Sequence, residues 1–306
     1  MKRNMVFLMF FLFSLPLLAQ DELKIVGWNV ESGGATVASI SSRIKEAQGV
    51  DVWGLSEVSG PEVVAAFETA AEDGEDAEFS YVLGTSGGSD RLMIIFNEER
   101  FNLEQSLELD EINIGGNVRA PLVVLLEEKD TGIKFYFMVN HLYRSRQDRR
   151  HQQSRLLNEW AAAQTLPVIA VGDYNFDWEI DDDTHDLGFD LLTAGDVLTW
   201  LRPEKLIRTQ CTVANGACKY NSVLDFIFIR NIPEKWKPVS EIIQYPNDFP
   251  DNDQTSDHRQ VQAVFKLKVT SDISIEDFRE QLLERISAVE NELKELKEWA
   301  RDIGTH

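Results

Sequence analysis

Two cysteines in 306 residues, Cys211 and Cys218, exclude a disulfide-stapled mini-domain and leave no four-thiol set for a structural zinc. Basic residues are the minority, 30 Lys and Arg against 52 Asp and Glu. The formal net charge of −22 excludes a protein that coats nucleic acid or a membrane surface through a broad positive face. A polyanionic substrate must therefore be met by a local patch or by a metal. No apolar run reaches the ~20 residues that cross a bilayer as a helix. What is present, 43% apolar and 10% aromatic residues, suffices for a sizeable core, so the chain reads as globular rather than disordered or collagen-like.

Lys2 and Arg3 precede the apolar run Met5 to Phe13, followed by Ser14, Pro16, Leu17-Leu18-Ala19 and the acidic Asp21-Glu22. That is the layout of a secretory signal peptide over residues 1–20, with cleavage after Ala19 or nearby, and it predicts a secreted or periplasmic protein with no membrane span in the mature chain. An uncleaved anchor is the alternative, disfavoured by the shortness of the run and by Pro16. In an exported chain, Cys211 and Cys218 around Asn215-Gly216 read as a small disulfide loop.

Strand-length apolar runs rich in β-branched residues recur at Leu23–Val30, Asp51–Leu55, Arg91–Phe96, Val118–Leu126, Ile133–Val139, Pro167–Val171, Val223–Ile229 and Gln260–Leu267. Helical patterns interleave at Thr36–Ala47, Glu62–Ala71 and Arg146–Ala163, which makes the body, 21–269, an α/β domain. From 270 to 306 the composition changes: Leu282, Ile286, Val289, Leu293, Leu296, Ala300 and Ile303 recur at spacings of four and three. This amphipathic stripe suits either a coiled coil with a second copy, hence a homo-oligomer, or a helix folded back on its own domain.

Polar residues at the ends of apolar strands are the informative signal, because a strand end can aim a side chain into a cleft while the run behind it stays buried. Asn29 and Glu31 end the first run, Glu57 the second, and Asn140-His141 end the run Phe135 to Val139. Asp173 and Asn175 follow Val168 to Val171, Asp225 lies within Val223 to Ile227, and Asp257-His258 precede the last run. Singly, each could close a turn or satisfy a local hydrogen bond. Together they form an oxygen-rich set with two histidines, suited to a hard cation such as Mg2+, with Mn2+ or Ca2+ as alternatives, and not to zinc.

In this order, Trp28-Asn29-Val30, Glu57, Asn140-His141, Gly172-Asp173-Tyr174-Asn175, Leu224-Asp225-Phe226-Ile227 and Ser256-Asp257-His258 match the signatures of the endonuclease/exonuclease/phosphatase family. These are the metal-dependent phosphoesterases related to pancreatic deoxyribonuclease, which the chain resembles over about residues 23 to 267. The resemblance implies a four-layer α/β sandwich of two packed mixed sheets flanked by helices. It also implies roles. Glu57, with Asn29 and Asp257, would hold the cation; Asp173 and Asn175 would orient the attacking water and the phosphorus; His258, oriented by Asp225, would act as general base, with Asp173 as the alternative proton acceptor. His141 would donate to phosphate oxygens, and Asp90 stands where relatives place a residue that orients this histidine. Tyr174 occupies a position where Phe or Leu is commoner.

Arg144, Arg146, Arg149, Arg150 and Arg155 follow His141 with Asp148 the lone acid among them. Cations in the first turn of a helix oppose its dipole, which makes a purely structural role awkward for Arg146, Arg149 and Arg150, so Arg144, Arg146, Arg149 and Arg150 read as a stripe that touches phosphate; a solvated helix face pairing with acidic loops is the alternative. The function expected is an exported nuclease acting on DNA or RNA. A phosphatase or phospholipase of the same fold, acting on a sugar phosphate, inositol phosphate or sphingomyelin, and a non-catalytic binding module are the alternatives.

Overall fold

The structure is a computed structural model that describes residues 22–31, 34–250 and 254–267, together with nine positions between 279 and 297. It separates a body, Glu22–Phe265, from a second unit made of residues 1–21 and 266–306. The expected signal peptide lies outside the described residues, as does most of the expected C-terminal helix, of which the nine described positions have helical backbone. Among the described residues no helix is long and apolar enough to cross a membrane.

Within the body the elements run β1 (Glu22–Asn29), α1 (Val37–Glu46), β2 (Val52–Val58), α2 (Pro61–Glu75), β3 (Phe79–Leu83), β4 (Arg91–Asn97), β5 (Phe101–Glu108), β6 (Leu122–Glu128), β7 (Lys134–His141) and α3 (Gln147–Ala162). They continue as β8 (Val168–Glu179), α4 (Leu187–Thr193), β9 (Thr199–Trp200), β10 (Val213–Ala214), β11 (Ala217–Cys218), β12 (Ser222–Arg230), β13 (Val239–Ile242) and β14 (Val261–Lys266). Two six-stranded mixed sheets, in the orders β13-β14-β1-β2-β4-β3 and β5-β6-β7-β8-β12-β9, carry the fold. The α/β sandwich expected from the resemblance is therefore present.

The sheets meet along strands buried on both faces, which is why those strands read as continuous apolar runs instead of alternating ones. Close approach requires small residues there. A Cβ on Gly54 would lie 2.5 Å from Val171 Cγ2, so an alanine would push the sheets apart. On the outer face of the first sheet, Ile40 and Ile44 of α1, one turn apart, and Val63, Val64 and Phe67 of α2 cover Val26, Trp53, Leu55 and Ile95. On the second sheet Leu157 and Ala161 of α3 and Leu192 of α4 surround Met138, Ala170 and Tyr174. The order helix, sheet, sheet, helix gives the four layers.

Local signals explain the helix starts. Pro61 sits in the first turn of α2, where its missing N–H costs nothing, and the Asp186 carboxylate caps α4 by accepting from Gly188 N at 2.8 Å. Strands absent from the apolar pattern are edge or short ones. β5, with the sequence Phe-Asn-Leu-Glu-Gln-Ser-Leu-Glu, is exposed over most of its length and pairs on one side only. β8 runs twelve residues, far past the apolar Val168–Val171, because Asp173, Asn175 and Phe176 continue the strand while buried.

The Cys211–Cys218 disulfide expected from the sequence is formed and closes the small β10–β11 hairpin. At the opposite end of β2 from Glu57, Arg100 is buried between Asp51 and Glu128, at 2.8 and 3.2 Å, and donates to Glu22 O. It pins the start of the first sheet to strands of the second.

Candidate active site

Strand register assembles the site. β1 and β2 are parallel with Asn29 beside Ser56, so Asn29 and Glu57 leave adjacent strand ends. Glu57 has φ 64° next to a register shift between Leu55 and Val58, and this break re-aims its side chain out of the ladder. In the second sheet β7 and β8 are parallel with His141 beside Asp173, and β12 is antiparallel to β8 with Asp225 beside Asp173. At Gly172 (φ 140°) a Cβ would meet Asn140 O at 2.0 Å, so only glycine lets β8 bring Asp173 this close to β7.

The residues converge. Asn29 Nδ2 donates to Glu57 Oε1 at 2.9 Å and to Asp173 Oδ2 at 3.3 Å, while Asn175 N donates to Asp173 Oδ1 at 3.0 Å. His258 Nδ1 is 2.8 Å from Asp225 Oδ2, and its Nε2 lies 3.8 Å from both Asp173 Oδ2 and Asp257 Oδ1. His141 Nε2 approaches Asp173 Oδ2 at 3.4 Å and Glu57 Oε1 at 3.9 Å. Glu31, Glu57, His141, Arg144, Asp173, Asn175, Leu224, Asp257 and His258 enclose a cavity of about 120 Å3, room for a phosphate group with its bound water. The turn that carries His258 is tied to β1 of the same sheet, since Ser256 Oγ donates to Asn29 O and accepts from His258 N, and Trp28 Nε1 donates to His258 O.

Electrostatics follow from this crowding. Burial raises the Asp173 carboxyl to about 7, against the lowering effect of His258. Burial alone would lower His258, but the Asp225, Asp173 and Asp257 carboxylates outweigh it and push the imidazole up to about 10. His141 is held well below its usual range by burial and then by the Arg119, His258 and Arg144 charges, so it stays a neutral imidazole. Asp90 lies 3.8 Å from His141 Nδ1 and binds Arg119 at 2.6 Å; burial raises its carboxyl to about 6 despite the arginine. Arg119 is absent from the sequence reading because it stands alone in a loop with no motif around it.

The donor set fits a hard divalent cation. Four carboxylates, of Glu31, Glu57, Asp173 and Asp257, face one small cavity against a single arginine, Arg144. Ligand atoms of Glu57, Asp90 and His141 also lie within 4.8 Å of one another, a grouping able to hold a metal. Asn140 is brought beside the site but turns its amide away, donating to Tyr174 Oη at 3.0 Å. That bond gives the buried tyrosine hydroxyl the partner it needs among Phe176, Phe226 and Phe228.

The arginine stripe requires correction. Arg144 is exposed and lines the cavity, and Arg146 is exposed but paired with Asp148 at 3.0 Å. Arg149 donates to Ile114 O and Tyr143 Oη at 3.1 and 2.8 Å, holding the loop before β6. Arg150 is 1% exposed, bound to Asp186 at 2.8 Å and donating to the carbonyls of Tyr143 and Arg144. Arg144 precedes α3, Arg146 is its N-cap, and the consecutive Arg149 and Arg150 point about 100° apart around the helix, so the run is divided among different surroundings. The stripe reduces to Arg144, with Arg150 supporting its backbone from below.

The model of the endonuclease/exonuclease/phosphatase family matches residues 26–258, and the chain belongs to that family. It is accordingly a metal-dependent phosphoric ester hydrolase. No curated protein matches it by sequence. Solved structures with the same fold include Danio rerio TDP2 complexed with a single-strand DNA product, at 19% identity, TM-score 0.62, covering 80% of this chain and 98% of that one. The Bacteroides thetaiotaomicron mannosyl-6-phosphatase Bt3783 matches at 15% identity and TM-score 0.54, covering 79% and 98%, and the human Nocturnin catalytic domain with bound sulfate at 14% and 0.51, covering 81% and 95%.

Proposed function

We propose that this protein hydrolyses phosphodiester bonds of nucleic acid after export, by in-line attack of water on phosphorus. The carrying observation is the convergence of Asp173, the His258–Asp225 pair and His141 on one cavity with Glu57 on its rim. A Mg2+ held by Glu57, Asn29 and Asp257 would supply Lewis-acid polarisation of a phosphoryl oxygen. The chain's own groups do the rest. Asn175 and Asp173 orient the water, the Asp173–His258 pair takes its proton, and neutral His141, protonated on Nε2, donates to a phosphate oxygen. The likeness to a TDP2 complexed with single-strand DNA supports a polynucleotide, and the disulfide supports an oxidising compartment reached through residues 1–20.

A second reading, hydrolysis of a small sugar phosphate, is favoured by one observation: Arg149 and Arg150 are committed inside the protein, leaving Arg144 as the one arginine on the cavity wall among the described residues. Single-stranded and duplex oligonucleotides, plasmid, RNA and hexose 6-phosphates, each assayed with Mg2+ and with EDTA, separate the two. The nuclease reading requires EDTA-sensitive cleavage of a polynucleotide; turnover confined to hexose phosphates would replace it with the second.

Arg144→Ala should raise KM for an oligonucleotide about tenfold, the worth of one phosphate contact, and lower the slope of log affinity against log salt by about one. Arg146→Ala should leave both nearly unchanged. Equal effects of the two substitutions would mean that the contact is diffuse charge and not Arg144 in the cavity.

A further inference from the structure

The segment Thr209–Thr212 belongs to no motif and to neither sheet, yet it is wedged between the strand of Asp225 and the turn of Asp257-His258. Thr209, fully buried, accepts through Oγ1 from Leu224 N and Asp225 N at 2.8 and 3.1 Å, and its carbonyl accepts from Arg259 N at 2.7 Å. Gln210 forms an isolated bridge with His258, and Cys211 N donates to Asp257 O at 2.9 Å. Backbone bonds therefore fix this segment against both halves of the site.

Gln210 carries the consequence. Its side chain is 5% exposed overall, its Nε2 donates to Asp257 Oδ2 at 2.7 Å, and its Oε1 accepts from Thr212 N and Oγ1 at 3.1 and 3.2 Å. With the amide oxygen held by two donors, the NH2 end can only point at the carboxylate. One oxygen of Asp257 is thereby engaged and the other, Oδ1, is left 3.8 Å from His258 Nε2 at the cavity. The turn that supplies Thr212 is closed by the Cys211–Cys218 bond one residue away.

We propose that Gln210 is a positioning residue for the cation site: it fixes the rotamer of Asp257 so that one carboxylate oxygen is presented to a divalent ion. This rests on the reading of Asp257 as a cation ligand. Outer partners of metal-ligating carboxylates typically contribute 10- to 100-fold in affinity, because an unheld carboxylate must be ordered when the ion binds. Gln210 acts through Asp257 and touches no substrate, so its loss weakens cation binding while sparing kcat at saturating cation.

The test is Mn2+ binding by calorimetry to the full, disulfide-bonded chain in five forms: wild type, Gln210→Met, Gln210→Glu, Asp257→Ala and the Gln210→Met/Asp257→Ala double variant. Methionine keeps the length and bulk of glutamine without its donor, so the fold is retained; Gln210→Glu, which turns an acceptor toward Asp257, is the second variant. Expected are an affinity about tenfold weaker in Gln210→Met, at least as weak in Gln210→Glu, and no further loss when Gln210→Met is added to Asp257→Ala. The Mn2+ concentration for half-maximal activity should rise in parallel with kcat within about twofold of wild type. Wild-type affinity in both Gln210 variants, beside a weakened Asp257→Ala, would overturn the positioning role alone. Wild-type affinity in Asp257→Ala would overturn the ligand reading and this proposal with it. An undiminished Gln210→Met effect in the Asp257→Ala background would show that the residue acts elsewhere and would equally refute it.

Discussion

Replacing His258 with alanine is expected to lower turnover by about 100- to 10,000-fold, the usual worth of a positioned proton-transfer group. The imidazole joins Asp225 to the cavity, with Nδ1 on Asp225 at 2.8 Å and Nε2 facing Asp173. Its backbone is held independently, through N by Ser256 Oγ and through O by Trp28 Nε1, so the turn keeps its shape without the ring. The substitution does leave the Asp225 carboxylate buried with no imidazole beside it, which costs stability. Adding Asp225→Asn removes that charge. The double variant should therefore regain thermal stability over His258→Ala while its turnover stays low, separating catalysis from folding. Steady-state rates with thermal denaturation on the same samples decide it, and near-normal turnover in folded His258→Ala would refute the mechanism.

The second large effect is expected far from the chemistry. Arg100→Met should destabilise the body by about 3–5 kcal/mol, because it strands Asp51 and Glu128 as buried carboxylates between the two sheets. For a body of this size that is a fall of roughly 10 °C in Tm. The pH dependence has a definite sign. Burial already raises Asp51 above its ordinary value, against Arg100, so the folded state holds a proton in the window between that ordinary value and its raised one. In that window stability falls as pH rises. Loss of Arg100 widens the window upward, so the variant should recover part of its deficit when pH is lowered from 7 to 5. Urea titrations at the two pH values measure this, and a deficit unchanged or larger at pH 5 would show that Asp51 is not the stranded charge. Combining Arg100→Met with Asp51→Asn and Glu128→Gln should restore much of the loss.

Much of the site could be read along the chain because its residues sit at the ends of apolar runs. Asn29, Glu57, His141, Asp173 and Asp225 each follow or interrupt a strand whose burial the composition already dictated, so the sheet and the cleft were visible together. Asp257 and His258 precede such a strand and were legible for the same reason. Arg119 and Gln210 were not. One stands alone in a loop and the other precedes a cysteine in a segment of irregular backbone, and nothing local distinguishes either from a surface residue. Their neighbours, Asp90 at 29 and Asp257 at 47 residues' separation, are supplied by the fold.

The arginines after His141 show the opposite failure, a pattern conspicuous in sequence that the structure divides. Clustering raised the local charge, but within α3 Arg150 turns inward to Asp186 and Arg149 sideways to Tyr143, while Arg144, in the loop before the helix, stays at the cavity. Charge and hydropathy along the chain determined that this protein would have a buried sheet core, an acidic surface and polar strand ends suited to a hard cation. The choice of which polar groups meet belonged to strand register and to the packing of one sheet on the other, since distances of 3 to 4 Å between groups a hundred residues apart are set by closed three-dimensional geometry and leave no local trace.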